Sequence, residues 1–522
     1  MNKTLAILLT STVGSISASA ASKPNIILFL VDDMGWQDTS VPFYHQTTEQ
    51  NKFFHTPNME RLAAKGVKFT QAYGCPLSSP SRASLMTGCN TTEHHITSVG
   101  GAPQGGRAGG SMKPQRARQN AHQTNASLRT GDWNEMGLTV GEASANTFSC
   151  TSLPQVLKRG GYTTMMVGKG HFGRNACASN PLNLGFDVNI GGSAASSPAS
   201  YLGTENFASS QGRGNKNVPH LEAYHGKDIF LTEALTLESI KIMEAAVKEK
   251  KPFFLYFSQF AVHTPHDKDK RFYNRYIEAG ASDAEACYAS LIEGMDKSLG
   301  DVMDYLDKAG IADNTIILFM SDNGGAARGG PRGMQGQISA NAPLRGSKGC
   351  VLEGGIREPM IAYVPRLSKA GTSNHSPIII EDFFPTIIEL AGCKQHAKTS
   401  QKLHSKSFVA AIAGASINEK RALIWHYPHP RGMQDSASSA IRMGDMKLIH
   451  YYLSGKTELY DLAHDISEQN NLIGTSERAD KIANKLASIL SHHLRQNQSP
   501  LPIITASGKP CPYPDEKMIQ AH

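Results

Sequence analysis

Apolar residues in this chain gather into short unbroken runs, and each run stops at polar or charged residues. Residues 25–31 (NIILFLV) lead into Asp32-Asp33; residues 163–167 stop at Gly168-Lys169; residues 253–257 lead towards His263; residues 315–320 stop at Ser321-Asp322-Asn323. A run without alternation is buried on both faces, as in a strand of a parallel sheet. Between these runs, residues 232–249 and 284–309 carry the apolar spacing of amphipathic helices. Strand and helix in alternation predict an α/β fold, a large doubly wound mixed sheet sandwiched by helices. Ligands of such sheets bind at the carboxyl ends of the strands, so polar residues far apart in sequence are expected on one rim.

After a helix-like segment at 379–391 the pattern changes. Residues 421–427, 440–443 and 447–452, the last two flanking Gly444-Asp445, predict a hairpin sheet, and the amphipathic stretch 478–493 predicts a helix packed across it. The expected division is a catalytic α/β domain over 21–415 and a smaller C-terminal α+β subdomain over 416–522. Residues 1–20 read as a secretory signal: Lys3, an apolar run at 5–13, then Ala18-Ser19-Ala20 as a small-residue cleavage site. No later apolar run is long enough for a membrane span, so a periplasmic or secreted product is expected. Two Gly-rich polar segments, 100–130 and 324–341, break the alternation and are expected to form walls of a substrate site.

A chain of 522 residues with 40% hydrophobic content can bury a sizeable core. Its formal net charge of +7 suits an anionic substrate, but the dense Lys/Arg blocks of a nucleic-acid binder are missing. The eight cysteines are too widely spaced for a zinc pattern; in an exported chain their pairing is open, with Cys150 and Cys177 one candidate disulfide.

Candidate chemistry lies at the strand ends. Asp32, Asp33, Asp322 and Asn323 offer three carboxylates and an amide oxygen, a set that suits a hard divalent cation; the alternative is turn chemistry. In Ser78-Ser79-Pro80-Ser81-Arg82, proline suits the first turn of a helix, whose free N–H groups favour an anion near Ser78. Further polar segments are Gly168-Lys169-Gly170-His171, His263-Thr264-Pro265-His266, and Lys348 followed by Glu353-Gly354-Gly355-Ile356-Arg357-Glu358-Pro359.

Taken in order, these segments and residues 382–392 resemble the signatures of formylglycine-dependent sulfatases of the alkaline-phosphatase-like superfamily. Ser78 occupies the modified position, with the register set by Pro80, so the resemblance is to the serine-type branch and implies a serine-type sulfatase-maturating enzyme as partner. It further implies that Asp32, Asp33, Asp322, Asn323 and the modified Ser78 hold one divalent cation, usually calcium. Arg82 would contact the hydrated aldehyde, Lys169 both sulfate and diol, and His171 would remove a proton from the sulfated diol so that sulfate leaves. His263 and Lys348 would serve the departing alcohol, and Arg357 would pair with Glu353. The chain departs from the family pattern in three places: Gly170 replaces a usual Trp, Glu358 a usual Val, and the pair Cys89-Asn90 stands where Arg is common.

Residues 31–39 and 201–206 look similar to bacterial polysaccharide and glycosaminoglycan sulfatases, which implies a sulfated oligosaccharide or polysaccharide substrate, for example 4-sulfated galactose or N-acetylgalactosamine. Sugar rings call for aromatic faces and forked donors. Trp133, Trp425, His426, His429, Arg431, Arg107, Arg116, Arg118 and His266 are the candidates, with residues 425–429 expected to form one pocket wall. Two other functions fit the same residues: a phosphomonoester or phosphonate hydrolase of this fold, and a non-catalytic binder of sulfated glycans with unmodified Ser78.

Overall fold

The computed structural model describes residues 23–99, 127–208, 216–326, 341–417, 420–430 and 437–517. The expected signal segment, most of both Gly-rich segments, and Arg107, Arg116, Arg118 and Arg431 lie outside the described residues.

One nine-stranded sheet organises the molecule. Its strands are β1 (Asn25–Val31), β2 (Val67–Tyr73), β3 (Thr163–Gly168), β4 (Val188–Ile190), β5 (Phe253–Ser258), β6 (Thr315–Ser321), β7 (Arg357–Tyr363), β8 (Thr372–Asn374) and β9 (Ile378–Ile379). The order across the sheet is β8-β2-β7-β6-β1-β5-β3-β4, with β9 also paired to β2. Neighbours are parallel except β7, which runs antiparallel to both β2 and β6. The four unbroken apolar runs are therefore the four central parallel strands.

The reason is visible in β1, whose residues are all buried. Ile27, Phe29 and Val31 enter the core beneath helices α2 (Leu231–Lys248) and α3 (Asp283–Lys308), in one apolar cluster with Leu235, Leu291 and Leu299. Ile26, Leu28 and Leu30 point the other way, into the core beneath α1 (Ser78–Thr87) and α4 (Phe383–Leu390). Each such side chain contributes about 1.5–3 kcal/mol when fully removed from water, and both faces are covered, so Ile26 to Val31 are all apolar; the one polar residue, Asn25, stands at the strand's start with its amide hydrogen-bonded to Thr315 and Phe253.

Strands β2 and β7 were not expected from the sequence. Arg357, Glu358 and Pro359 disguise β7, and its pairing with β2 shifts register between Glu358 and Met360, where Pro359 interrupts the ladder. The helix expected over 379–391 resolves into β9, a single 3₁₀ turn at Ile380–Asp382, and α4. All eight cysteines are free thiols, which corrects the Cys150–Cys177 pairing.

Towards the C-terminus, β10 (Ala422–Tyr427), β11 (Ser438–Met443), β12 (Met446–Tyr451) and β13 (Thr457–Asp461) form an antiparallel sheet in sequence order. Helix α5 (Glu477–Gln496) lays Ala483, Leu486, Leu490 and Leu494 on Ile441 and Leu448 of that sheet. Its first turn is capped by Ser476, whose side chain accepts from Ala479 N. Among the described residues, no helix is long and apolar enough to cross a membrane.

Candidate active site

Four strands end side by side; three deliver a polar pair to the same rim and the fourth a single histidine. Asp32 and Asp33 follow β1, Asp322 and Asn323 follow β6, Lys169 and His171 follow β3, and His263 follows β5. Asp33 and His171 have φ of 65° and 57°, left-handed conformations that turn the chain abruptly out of a strand. Ser78 arrives from elsewhere: it is the first residue of α1, with Pro80 in the first turn where no amide donor is needed. Gly88 closes that helix with φ of 70°, and a Cβ there would also press within 3.0 Å of Phe384 and Leu403, so glycine is required twice over.

Ser78 Oγ lies 3.0 Å from Asp32 Oδ1 and 3.1 Å from Asn323 Oδ1, and Lys169 Nζ donates to it at 3.3 Å. Lys169 also binds Asp32 Oδ2 at 2.6 Å, with both side chains fully buried. Arg82 reaches Asp322 Oδ2 through Nε at 2.9 Å, and its Nη1 donates to Lys169 O, Tyr256 Oη and Ser258 Oγ. Lys348 Nζ holds both oxygens of Asp33 at 2.5 and 2.7 Å. His263 turns Nε2 to 3.6 Å from Asp33 Oδ2 and donates from Nδ1 to Thr264 O at 2.9 Å. Lys348 and His263 are each 18% exposed, whereas Lys169 and Arg82 are sealed, so the first two stand at the mouth.

Burial alone would raise the carboxyl of Asp32, but Lys169, with His263 and Arg82, outweighs it and holds the group below its ordinary value. Lys348 and His263 do the same against burial for Asp33. Burial, reinforced by Lys169, Arg82 and Lys348, keeps His171 neutral far below its ordinary pKa. Neither ring nitrogen of this buried imidazole has a hydrogen-bond partner. This neutral imidazole, among two lysines and an arginine, leaves both ring nitrogens free to take a hydrogen bond.

Carboxylate oxygens of Asp32, Asp33 and Asp322 all lie within 4.8 Å of one another. The residues fit a hard divalent cation: three carboxylates, the Asn323 amide oxygen and a hydroxyl are oxygen donors of the type such ions take. Three cations, Arg82, Lys169 and Lys348, already balance the carboxylates, so an added divalent ion would leave a positive surplus for an anionic substrate.

The proposed glycan wall is not what the structure builds. Trp425 is 1% exposed, packs on Tyr73 and donates from Nε1 to Gly74 O at 2.9 Å. His426 is buried between Ser439 Oγ and Pro500 O. His429 is buried too, against Thr97, with Trp133 edge-on at 5.2 Å. Trp425 and His426 are interior because both faces of β10 are covered, and His429, two residues past that strand, is enclosed by Thr97, Trp133 and Tyr427. His266 stays partly exposed at the rim, its ring 5.2 Å from Tyr288 and its buried Nδ1 without a partner. Tyr256, hidden inside the apolar run 253–257, and Ser258, the residue after it, accept from Arg82 and carried no sign of it in the sequence.

An α/β enzyme with a metal-competent, cation-lined pocket for an anion is the class that this fold and site define. Residues 24–393 match the family model "Sulfatase", and residues 347–497 match "N-sulphoglucosamine sulphohydrolase, C-terminal". A sulfatase of Formosa agariphila is 28% identical over 96% of this chain and 94% of its own length. The N-acetylgalactosamine-6-sulfatase of Mus musculus is 30% identical over 74% of this chain and 66% of its own. Among solved structures, Ps i-CgsB superposes with a TM-score of 0.68 at 25% identity, covering 91% of this chain and 94% of that one; the same protein has been solved with k-i-k-neocarrahexaose. The chain belongs to the sulfatase family. It is a sulfatase, a hydrolase of sulfuric esters.

Proposed function

We propose that this sulfatase removes sulfate from a sulfated glycan through a formylglycine made from Ser78, with one calcium ion held by Asp32, Asp33, Asp322, Asn323 and residue 78. The observation that carries the reading is the place of Ser78 Oγ, in contact with Asp32, Asn323 and Lys169 and accompanied by an imidazole with no partner. The fit to the modification is chemical: a hydrated aldehyde carries a second hydroxyl, and His171 is the unused group that a second hydroxyl needs. When present, the two groups supply a geminal diol that attacks sulfur and a divalent charge that polarises the sulfate oxygens.

The remaining work falls to the chain. Lys169 and Arg82 supply fixed positive charge in a dry site, where it acts on an anion without reorganising. His171, neutral at physiological pH, accepts a proton from the residue-78 side chain. Lys348 and His263, at the mouth, stabilise or protonate the leaving alcohol oxygen. His266, partly exposed with its ring against Tyr288, is a described candidate for contact with the sugar.

The mammalian relatives named for N-acetylgalactosamine and the solved carrageenan-type complex support a galactose-configured unit. Export to the periplasm or medium, where such polymers are met, and maturation by a serine-type enzyme belong to the same reading. Against a phosphate ester, the described residues contain one carboxylate cluster rather than two.

Two measurements test the proposal on natively produced protein. The Ser78 peptide should be lighter by about two mass units, the loss of two hydrogens on oxidation to the aldehyde. Matured enzyme should release sulfate from 4- or 6-sulfated galactose or N-acetylgalactosamine saccharides far faster than phosphate from an aryl phosphate. An intact alcohol in a fully active enzyme overturns the mechanism; faster phosphate release favours the phosphoesterase; tight glycan binding without turnover favours the binder.

A further inference from the structure

The turn Glu353–Ile356 is wedged against three parts of the site. A Cβ on Gly354 would stand 2.5 Å from Gly346 O, and one on Gly355 would stand 2.7 Å from Ser347 O and 2.3 Å from Cys350 O, so the turn presses directly on the loop that carries Lys348. A Cβ on Gly324, next to Asn323, would stand 2.0 Å from Gly354 O. Gly74 N donates to Ile356 O at 2.7 Å, tying in the segment that leads to Ser78. Close packing of backbone on backbone transmits displacement with little slack.

What holds this turn comes largely from the C-terminal sheet. Lys447 of β12, fully buried, places Nζ 2.8 Å from Glu353 Oε1 and 2.8 Å from Glu468 Oε1. Glu353 N donates to Glu468 Oε2 at 2.8 Å, while Tyr73 and Arg357 hold Glu353 Oε2 at 2.8 and 3.2 Å. Arg345, at the start of the Lys348 loop, donates to Glu468 O at 3.0 Å and to Tyr460 Oη at 3.1 Å. Buried ion pairs cost desolvation, and well-packed apolar residues often serve stability as well or better. Directional anchoring of a turn is what charge provides and apolar packing does not.

We propose that Lys447 and Glu468 are positioning residues for desulfation: through Glu353 the C-terminal sheet sets where Lys348 stands at the mouth of the active site. The inference rests on the role given above to Lys348. Lys447→Met would strip two buried carboxylates of their cation and endanger folding, so Glu468→Gln is the better probe. It keeps the shape but offers one acceptor to two donors, Lys447 Nζ and Glu353 N.

The experiment is a cycle of Glu468→Gln and Lys348→Ala, alone and together, in matured enzyme of verified aldehyde content and checked thermal midpoint. Glu468→Gln should lower kcat roughly tenfold to a hundredfold in the native background, the scale of a displaced catalytic group. In the Lys348→Ala background the same change should cost less than about twofold, because the group it displaces is gone. Equal factors in the two backgrounds, or an unchanged kcat for Glu468→Gln alone, overturn the inference while leaving the role of Lys348 intact. A Lys348→Ala enzyme as fast as the native one removes that role and this inference together.

Discussion

Two buried clusters in this protein are built from the same materials and do opposite things. At the strand ends, Lys169, Lys348 and Arg82 face Asp32, Asp33 and Asp322. Beneath the C-terminal sheet, Lys447 and Arg357 face Glu353 and Glu468. The second cluster is closed: each carboxylate oxygen has a cation or donor against it. The first is left open by a hydroxyl, by two residues at the mouth and by an imidazole with neither nitrogen engaged. A closed set of charges anchors backbone; an open one keeps unspent interactions for a substrate.

The largest expected effect is Ser78→Ala, which removes the hydroxyl oxygen that meets Asp32, Asn323 and Lys169 in the open cluster. Sulfate release should fall by about a thousandfold or more, as for loss of a nucleophile. A Ser78→Ala enzyme that still turns over would move the centre elsewhere.

Next come the lysines. Lys348→Ala, like His263→Ala, should slow turnover roughly a hundredfold in protein that still folds. Lys447→Met should instead lose about 3–5 kcal/mol in denaturant unfolding, the cost of stranding a buried charge. Were the two profiles exchanged, the distinction between open and closed clusters would fail.

A smaller effect is expected at Glu358, which is fully buried with neither carboxylate oxygen paired. Burial, with Asp322 and Asp33 nearby, raises its carboxyl well above the ordinary 4.5, so the folded protein holds it neutral. Stability from this group is full below the unfolded pKa and drains away as pH rises. Glu358→Val should therefore stabilise by about 1–3 kcal/mol, by a margin that widens above pH 4.5. An equal or lower midpoint for the valine variant would show that Glu358 has a partner in solution.

The smallest is a slope. Burial pushes His426 down from 6.5 to about 4, so it folds neutral and its stabilisation, present above pH 6.5, is lost as pH falls through the folded value. His426→Gln should reduce the pH dependence of unfolding between those limits by about one proton. An unaltered slope would mean that His426 is accessible after all, as a substrate-facing residue would be.

Strands β1, β3, β5 and β6 could be read directly because a centrally buried parallel strand is apolar along most of its length, and that demand is written in consecutive residues. The polar pairs at their ends were legible for the same reason, since a strand's end fixes where its next residues emerge. Ser78 and His263 were found through short contiguous segments. Long-range packing decided the rest. Whether Trp425, His426 and His429 line a pocket or fill an interior depends on what covers β10, and the covering groups, Tyr73 and Pro500 among them, come from distant parts of the chain. Arg357, Glu358 and Pro359 look like a loop until β2 pairs with Arg357 and Glu358, and β6 takes up the same strand from Met360 onward. Lys447 carries no local sign of its partners; Glu353 lies 94 residues away, and only tertiary structure makes that separation 2.8 Å.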